Sequence, residues 1–160
     1  MKNWLPHVHS KNVSKLGAFS RIDRMSTRIA HLGFIQGVIT RMGANSFYLK
    51  GWSVALVVGI FTLSAKDADH RYVLLAYFPV FMFWILDAYF LRQERLFRKL
   101  YDAVSQNLVA RPEFSMSVKE FEDQVSCVSI TAFSKTLISF HGVIALVVLV
   151  AMFQLKRVCA

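Results

Sequence analysis

The chain has 160 residues, of which 55% are hydrophobic and only 18% are charged, and its mean hydropathy is +0.42. Soluble domains carry about 25% charged residues, so this composition favours a membrane protein, and the net charge of +9 makes that protein basic. Two cysteines are too few for a disulfide scaffold, and few Gly or Pro residues argue against disorder or low complexity.

The first 48 residues carry most of the positive charge. Residues 1–20 lack the apolar stretch of a cleavable signal peptide and are predicted to be a basic, flexible tail. From 21 to 48, apolar residues recur every three or four positions, which predicts an amphipathic cytoplasmic helix that continues into the first span. A heptad along this helix defines a candidate oligomer seam, in which a polar residue can fix register: Ile22, Met25, Ile29, Leu32, Gln36 and Ile39. The alternative is a helix lying on the inner membrane surface.

Three apolar runs are long enough to be read as transmembrane helices. A helix needs about 20 predominantly apolar residues to cross a bilayer. The runs are 47–65, 72–91 and 135–155, and the second contains Pro79, which predicts a kink. A buried hairpin of a soluble all-helical protein is the alternative. The sequence therefore predicts an all-α integral membrane protein with three transmembrane helices and long cytoplasmic helical extensions.

Orientation follows from the basic residues. Residues 1–50 carry eight bases and one acid, and four bases directly follow the second run, so the positive-inside rule places the N-terminus and the long middle connection in the cytoplasm. Anionic lipid accounts for the positive charge without nucleic acid. The predicted lipid contacts are Arg21, Arg24, Arg28, Arg41, Arg92, Arg95, Arg98 and Lys99.

The stretch 92–134 is predicted to be a cytoplasmic helical hairpin. Helical spacing continues to the Arg111–Pro112 break, and Ser117 with Glu120 matches a capping box that would start the next helix. That second helix is expected to run on into the third span. Gly33 and Gly37 match a GxxxG motif, but they lie outside the predicted spans.

One acid lies inside an apolar run, where a charge is costly and usually faces protein or water. This residue is Asp87, near the inner end of the second run. Lys50, Lys135 and His141 lie at a similar predicted depth, so the four residues form a candidate polar layer. The layer is interpreted either as a gate or ion path in an oligomer, or as a snorkelling lysine paired with an aspartate that holds the helices together.

Catalytic motifs are absent from the sequence. It contains no HExxH, no GxSxG, no phosphate-binding GxxxxGK and no cysteine pair at zinc spacing, and His7 and His9 have no further ligands nearby. We expect no catalytic residues, no metal and no cofactor.

Three segments together resemble a group of small bacterial membrane proteins. They are HLGFIQGVITRMGANSFYLKGWSVALVVGIFTLSAKDAD (31–69), FWILDAYFLRQERLFRKLYDAV (83–104) and FSKTLISFHGV (133–143). In layout these proteins are similar to the membrane effectors of antiphage defence systems associated with TIR-domain or nucleotide-signal partners. The resemblance implies an oligomeric inner-membrane protein that permeabilises the membrane when triggered, with a cytoplasmic signalling protein or TIR-type partner.

Two functions from different classes follow. The first is a non-enzymatic homo-oligomeric effector that perturbs or permeabilises the bilayer in the manner of a pore. Three spans enclose little space, so conduction would require several copies. The second is a membrane anchor or adaptor that recruits a soluble enzyme without conducting.

Overall fold

A computed structural model describes the backbone of residues 7–67, 74–106 and 114–158, and the side chains of 21–64, 74–106 and 114–154. Every regular element in these ranges is helical. The elements are α1 (His7–Asp67), α2 (Tyr77–Ser105), a 3-10 helix (Lys119–Gln124), α3 (Val128–Ala132) and α4 (Lys135–Val158).

The long helix α1 joins three segments that were predicted separately. Its 61 residues include most of the predicted tail, the amphipathic helix and the first apolar run. The prediction of a flexible tail is therefore wrong from His7 onward. The physical reason is that residues 7–67 contain no proline, so nothing in the sequence interrupts the backbone hydrogen bonds of the helix.

Helix α2 packs antiparallel to α1 and forms the first of two cores. Ile35 and Ile39 of α1 are buried against Leu96, Leu100 and Ala103 of α2. Phe121 and Val125, from the segment after α2, complete this core. We call this part of the molecule the basic half: residues 21–46 of α1, 92–105 of α2 and the connection 114–134.

The second core lies at the other end of α1 and includes α4. Val57 of α1, Ala76 and Val80 beside and within α2, and Val148 of α4 are buried together. We call this part the apolar half: residues 47–64 of α1, 77–91 of α2 and 135–154 of α4. The helix α4 runs antiparallel to α2, since His141 lies beside Asp87 and Val148 beside Val80.

Pro79 lies in the first turn of α2, which begins at Tyr77, and a turn at Ala76 separates α2 from the helical residues 74–75. A proline has no N–H with which to continue a helix across such a break. One prediction about local structure is wrong, because the continuous helix expected from Ser117 is not formed. Instead the 3-10 helix starts after Val118, which provides no side-chain cap, and the backbone becomes extended at Val125. This turn lets Phe121 and Val125 enter the first core and then directs α3 and α4 back along α2.

Large apolar side chains are exposed along all three long helices of the apolar half. Examples are Trp52 of α1 (63% exposed), Phe78 of α2 (70%) and Leu146 of α4 (58%). Two stretches of the described helices, Arg21–Ser64 and Lys135–Gln154, are long and apolar enough to cross a membrane by length and composition. The predicted second span, 72–91, begins outside the described residues.

Candidate functional site

Asp87 accepts hydrogen bonds from residues of two other helices. It lies on α2 and is fully buried. Lys50 of α1 donates to one carboxylate oxygen at 2.5 Å, and His141 of α4 contacts the same oxygen through Nε2 at 3.1 Å. The hydroxyl of Ser46, also from α1, donates to the other oxygen. We call Ser46, Lys50, Asp87 and His141 the Asp87 cluster.

The spacing of α1 explains how two of its residues reach one carboxylate. Ser46 and Lys50 are four residues apart and therefore lie on the same face of the helix. The ammonium group of Lys50 also donates to the Ser46 hydroxyl at 2.8 Å. The lysine and the aspartate together carry no net charge, which is the condition under which a buried charge is tolerated. The Lys50 side chain keeps 20% exposure, whereas Asp87 and His141 have none.

Aromatic rings enclose the histidine of the cluster. The ring of Trp84 stacks on His141 with 5.9 Å between centroids and 9° between planes. The indole Nε1 of Trp84 donates to the Ala132 carbonyl at 2.9 Å, which fixes the ring. Lys50 Nζ lies 5.8 Å from the Phe140 centroid, in the range of a cation–π contact. Two aromatic rings thus contact the cluster, that of Trp84 at His141 and that of Phe140 at Lys50.

The structure brings together three of the four residues of the predicted polar layer. Lys50 and His141 both contact Asp87, at the level that the sequence predicted for them. Lys135 is exposed at the first position of α4 and does not touch Asp87, so its inclusion was wrong. The reason is helix geometry: six residues separate Lys135 from His141, which places the two on different faces. Ser46 was missed, although its spacing of four from Lys50 was visible in the sequence.

One of the eight bases predicted to contact lipid is instead bonded within the chain. Arg28 is partly buried, and its guanidinium donates to the carbonyls of Val104 (3.1 Å) and Ser105 at the end of α2. The lipid prediction is wrong for Arg28, because the last carbonyls of a helix have no partner inside it and accept an arginine readily.

The other predicted lipid contacts lie in the basic half. Arg92 donates to the Ser126 carbonyl at 3.2 Å, and Arg98 is ion-paired to Glu94 at 2.7 Å on the exposed face of α2. Arg95, Arg98 and Lys99 line a groove of about 290 Å³ between α2 and Ser126. Arg21, Arg24 and Arg41 are exposed along α1.

The predicted oligomer seam is divided between two environments. Ile22, Met25, Ile29 and Gln36 are exposed and Leu32 is half-buried. Ile39 is buried against α2, so the prediction that it belongs to an intermolecular seam is wrong. The heptad could not show that Ile39 is buried within the chain. Ile35 lies on the same face of α1 as Ile39, and both pack against α2.

A row of small residues on α1 was missed. Gly51, Ala55 and Gly59 recur every four residues in the first apolar run and are all exposed. A side chain built at either glycine would meet nothing within 4 Å. This spacing is the small-xxx-small pattern that lets membrane helices approach closely, and we call it the small-residue row.

Within the described residues, no group of three or more His, Cys, Asp or Glu side chains is placed to hold a metal ion. No protein-family model matches the chain, and neither the curated proteins nor the solved structures include a match.

Proposed function

We propose that the protein is a non-enzymatic, multi-pass protein of the bacterial inner membrane with three transmembrane helices. Its apolar half crosses the bilayer, and its N-terminus and basic half lie in the cytoplasm. The exposed apolar side chains on all three helices support this placement, since such a surface is unfavourable in water over so large an area. The bases of residues 1–50 support the orientation.

We further propose that copies assemble through the small-residue row and that the assembly permeabilises the membrane. The observation that carries this proposal is that Gly51, Ala55 and Gly59 are exposed within a helix long and apolar enough to span a bilayer. In lipid, helices associate where small residues allow their backbones to meet. The row faces away from the chain's own core, so it is free for a second copy.

The Asp87 cluster supports a role beyond anchoring. An ionisable group within a span is a candidate functional site, because its burial must be offset by partners. Assembly would bring several copies of the partly exposed Lys50 to one level of the membrane. The resemblance to antiphage effectors extends the proposal to defence, with a cytoplasmic signalling or TIR-type protein as the trigger.

The alternative function is an anchor that recruits a soluble partner without conduction. The cluster favours it in one respect, since Asp87 and His141 are sealed from solvent within a single chain. A conducting path would require these contacts to rearrange on assembly.

Reconstitution in liposomes tests the proposal. At a protein-to-lipid ratio high enough to drive assembly without the trigger, wild-type protein should form cross-linkable oligomers and release a trapped dye. Under the same conditions Gly51→Leu and Gly59→Leu should remain dispersed and release much less. Val54→Leu is the matched control, because it adds bulk at another exposed position of the same helix. Circular dichroism verifies that each variant is folded. If oligomers form but never release ions or dye, the proposed permeabilisation is refuted and the anchor function remains.

A further inference from the structure

A second exposed surface runs along α1 in the basic half and is separate from the small-residue row. Met25, Ile29, Gly33, Gly37 and Arg41 are spaced four residues apart, so they form one ridge of the helix. All five are exposed, with Met25 at 67% and Ile29 at 61%. We call these residues the 25–41 ridge.

The middle of this ridge is a groove rather than a convex surface. A groove of about 600 Å³ is lined by Gly33 and Gly37, with Phe34 and Phe114 among its walls and Arg41 at its end. A side chain built at either glycine would meet nothing within 4 Å, so the floor is bare helix backbone. The floor is therefore suited to the close approach of another helix.

One wall of the groove is formed by Phe114, whose backbone is strained. Phe114 has a φ of 62°, a left-handed conformation that is uncommon for a bulky side chain. Its ring packs edge-on against Phe34 at 5.9 Å, and His31 contacts the Ser115 carbonyl at 3.1 Å. Strain of this kind persists only where surrounding contacts fix it, so the groove is a built feature of the fold.

The position of the ridge argues against lipid as its occupant, and this step rests on the proposed membrane placement. At 1.5 Å per residue, Arg41 lies about 14 Å and Met25 about 37 Å beyond Lys50, which marks the inner boundary. Because α1 is continuous from His7 to Asp67, a helix that crosses the bilayer carries this ridge away from the membrane surface.

The charge argues against a second copy. Copies inserted in one membrane are parallel, so each Arg41 would lie near its own counterpart, one helical turn from the glycines where the two backbones would approach most closely. Between His7 and Phe34 the chain carries five bases and one acid, and these would also align at equal heights. Like charges placed opposite each other disfavour association and select partners of the other sign.

We propose that the 25–41 ridge is the docking surface for an acidic amphipathic helix of a cytoplasmic partner protein. An apolar residue of that helix fills the groove over Gly33 and Gly37, and a carboxylate pairs with Arg41. Arginine suits such a contact because its planar guanidinium can donate two hydrogen bonds to a carboxylate.

The test uses the full chain in lipid nanodiscs and two synthetic amphipathic peptides. One peptide has leucine on one face and glutamate on the other, and the second has lysine in place of glutamate. The glutamate peptide should bind, and added salt should weaken its binding. Gly37→Leu should weaken binding by about tenfold or more because it fills the groove, and Arg41→Glu should reverse the preference toward the lysine peptide.

Gln36→Leu is the matched control, since it adds the same side chain to an adjacent exposed position that lines a different groove. Equal binding of both peptides, or equal loss in Gln36→Leu and Gly37→Leu, would overturn the proposal. A Gly37→Cys variant, with Cys127 and Cys159 replaced by serine, tests whether a second copy of the chain or lipid occupies the groove instead. Disulfide formation between copies without peptide, or quenching of a probe at this cysteine by brominated lipid, would also overturn it.

This assay separates the docking proposal from the proposed function. Protein that binds the glutamate peptide but never assembles or releases dye refutes only permeabilisation. Protein that assembles through the small-residue row and releases dye, but does not distinguish the peptides, refutes only the docking surface.

Discussion

Asp87 of α2 and His141 of α4 lie 3.1 Å apart, from carboxylate oxygen to Nε2, and both side chains are fully buried. This contact, with the 2.5 Å contact to Lys50, joins the three long helices at one level. The cluster is therefore the point at which a single substitution affects all of them.

We expect Asp87→Leu to destabilise the fold by about 3–5 kcal/mol, because it leaves Lys50 and His141 facing an apolar side chain. The double variant Asp87→Leu/Lys50→Met should recover much of that loss, since it removes both charges. The free energy of unfolding in mixed micelles measures the coupling between the two sites. If the effects of Asp87→Leu and Lys50→Met measured singly add up to that of the double variant, the ion pair contributes no coupling.

Arg28 is predicted to stabilise the end of α2. Arg28→Ala removes two hydrogen bonds to the carbonyls of Val104 and Ser105 and should cost about 1–3 kcal/mol. Hydrogen exchange should accelerate in the last turn of α2. Arg21→Ala is the control, because Arg21 is exposed on the same helix and its removal should leave that turn unchanged. Similar exchange in both variants would contradict the capping role.

Two isoleucines of α1 provide a direct test of the first core. Ile35 is fully buried and Ile29 is 61% exposed. Ile35→Ala should cost about 2–5 kcal/mol through lost burial and a cavity, whereas Ile29→Ala should change stability by less than about 0.5 kcal/mol. Thermal unfolding followed by circular dichroism compares them. Equal destabilisation would place Ile29 in a core that includes another chain.

Two serines of α1 should respond in opposite ways. Ser46 donates to Asp87 and accepts from Lys50, so Ser46→Ala should cost about 1–3 kcal/mol. The buried hydroxyl of Ser53 has no hydrogen-bond partner within the described residues, so Ser53→Ala should be neutral or stabilising. The free energies of unfolding of the two variants provide the comparison. A large loss in Ser53→Ala would reveal a buried water or other partner at that site.

Periodicity and charge predicted the features that can be counted along single helices. The spacing of apolar residues predicted that the amphipathic helix continues into the first apolar run, and α1 confirms this. The predicted depths of Lys50, Asp87 and His141 brought three residues from distant parts of the sequence to one level, where they are in contact. Depth along a helix can be counted from sequence, so this part of the site could be predicted.

Features that depend on distant contacts could not be predicted in this way. Arg28 reaches carbonyls 76 and 77 residues further along the chain, and no local pattern distinguishes it from the other arginines of α1. Ile39 fits a heptad equally well whether its partner is α2 or another chain. By contrast, the six residues that separate Lys135 from His141 already place the two on different faces of one helix, so the exclusion of Lys135 could have been predicted.

The uninterrupted length of α1 has a mechanical consequence. From Lys50 to His7 the helix extends about 65 Å without a proline that could act as a hinge. A tilt of about 10° at the Asp87 cluster would move the far end by roughly 11 Å for a rigid helix of this length. Because Arg28 and the first core hold α1 against α2, such a tilt would carry both helices together, and its effect at the Asp87 cluster would fall on the contact with His141 of α4.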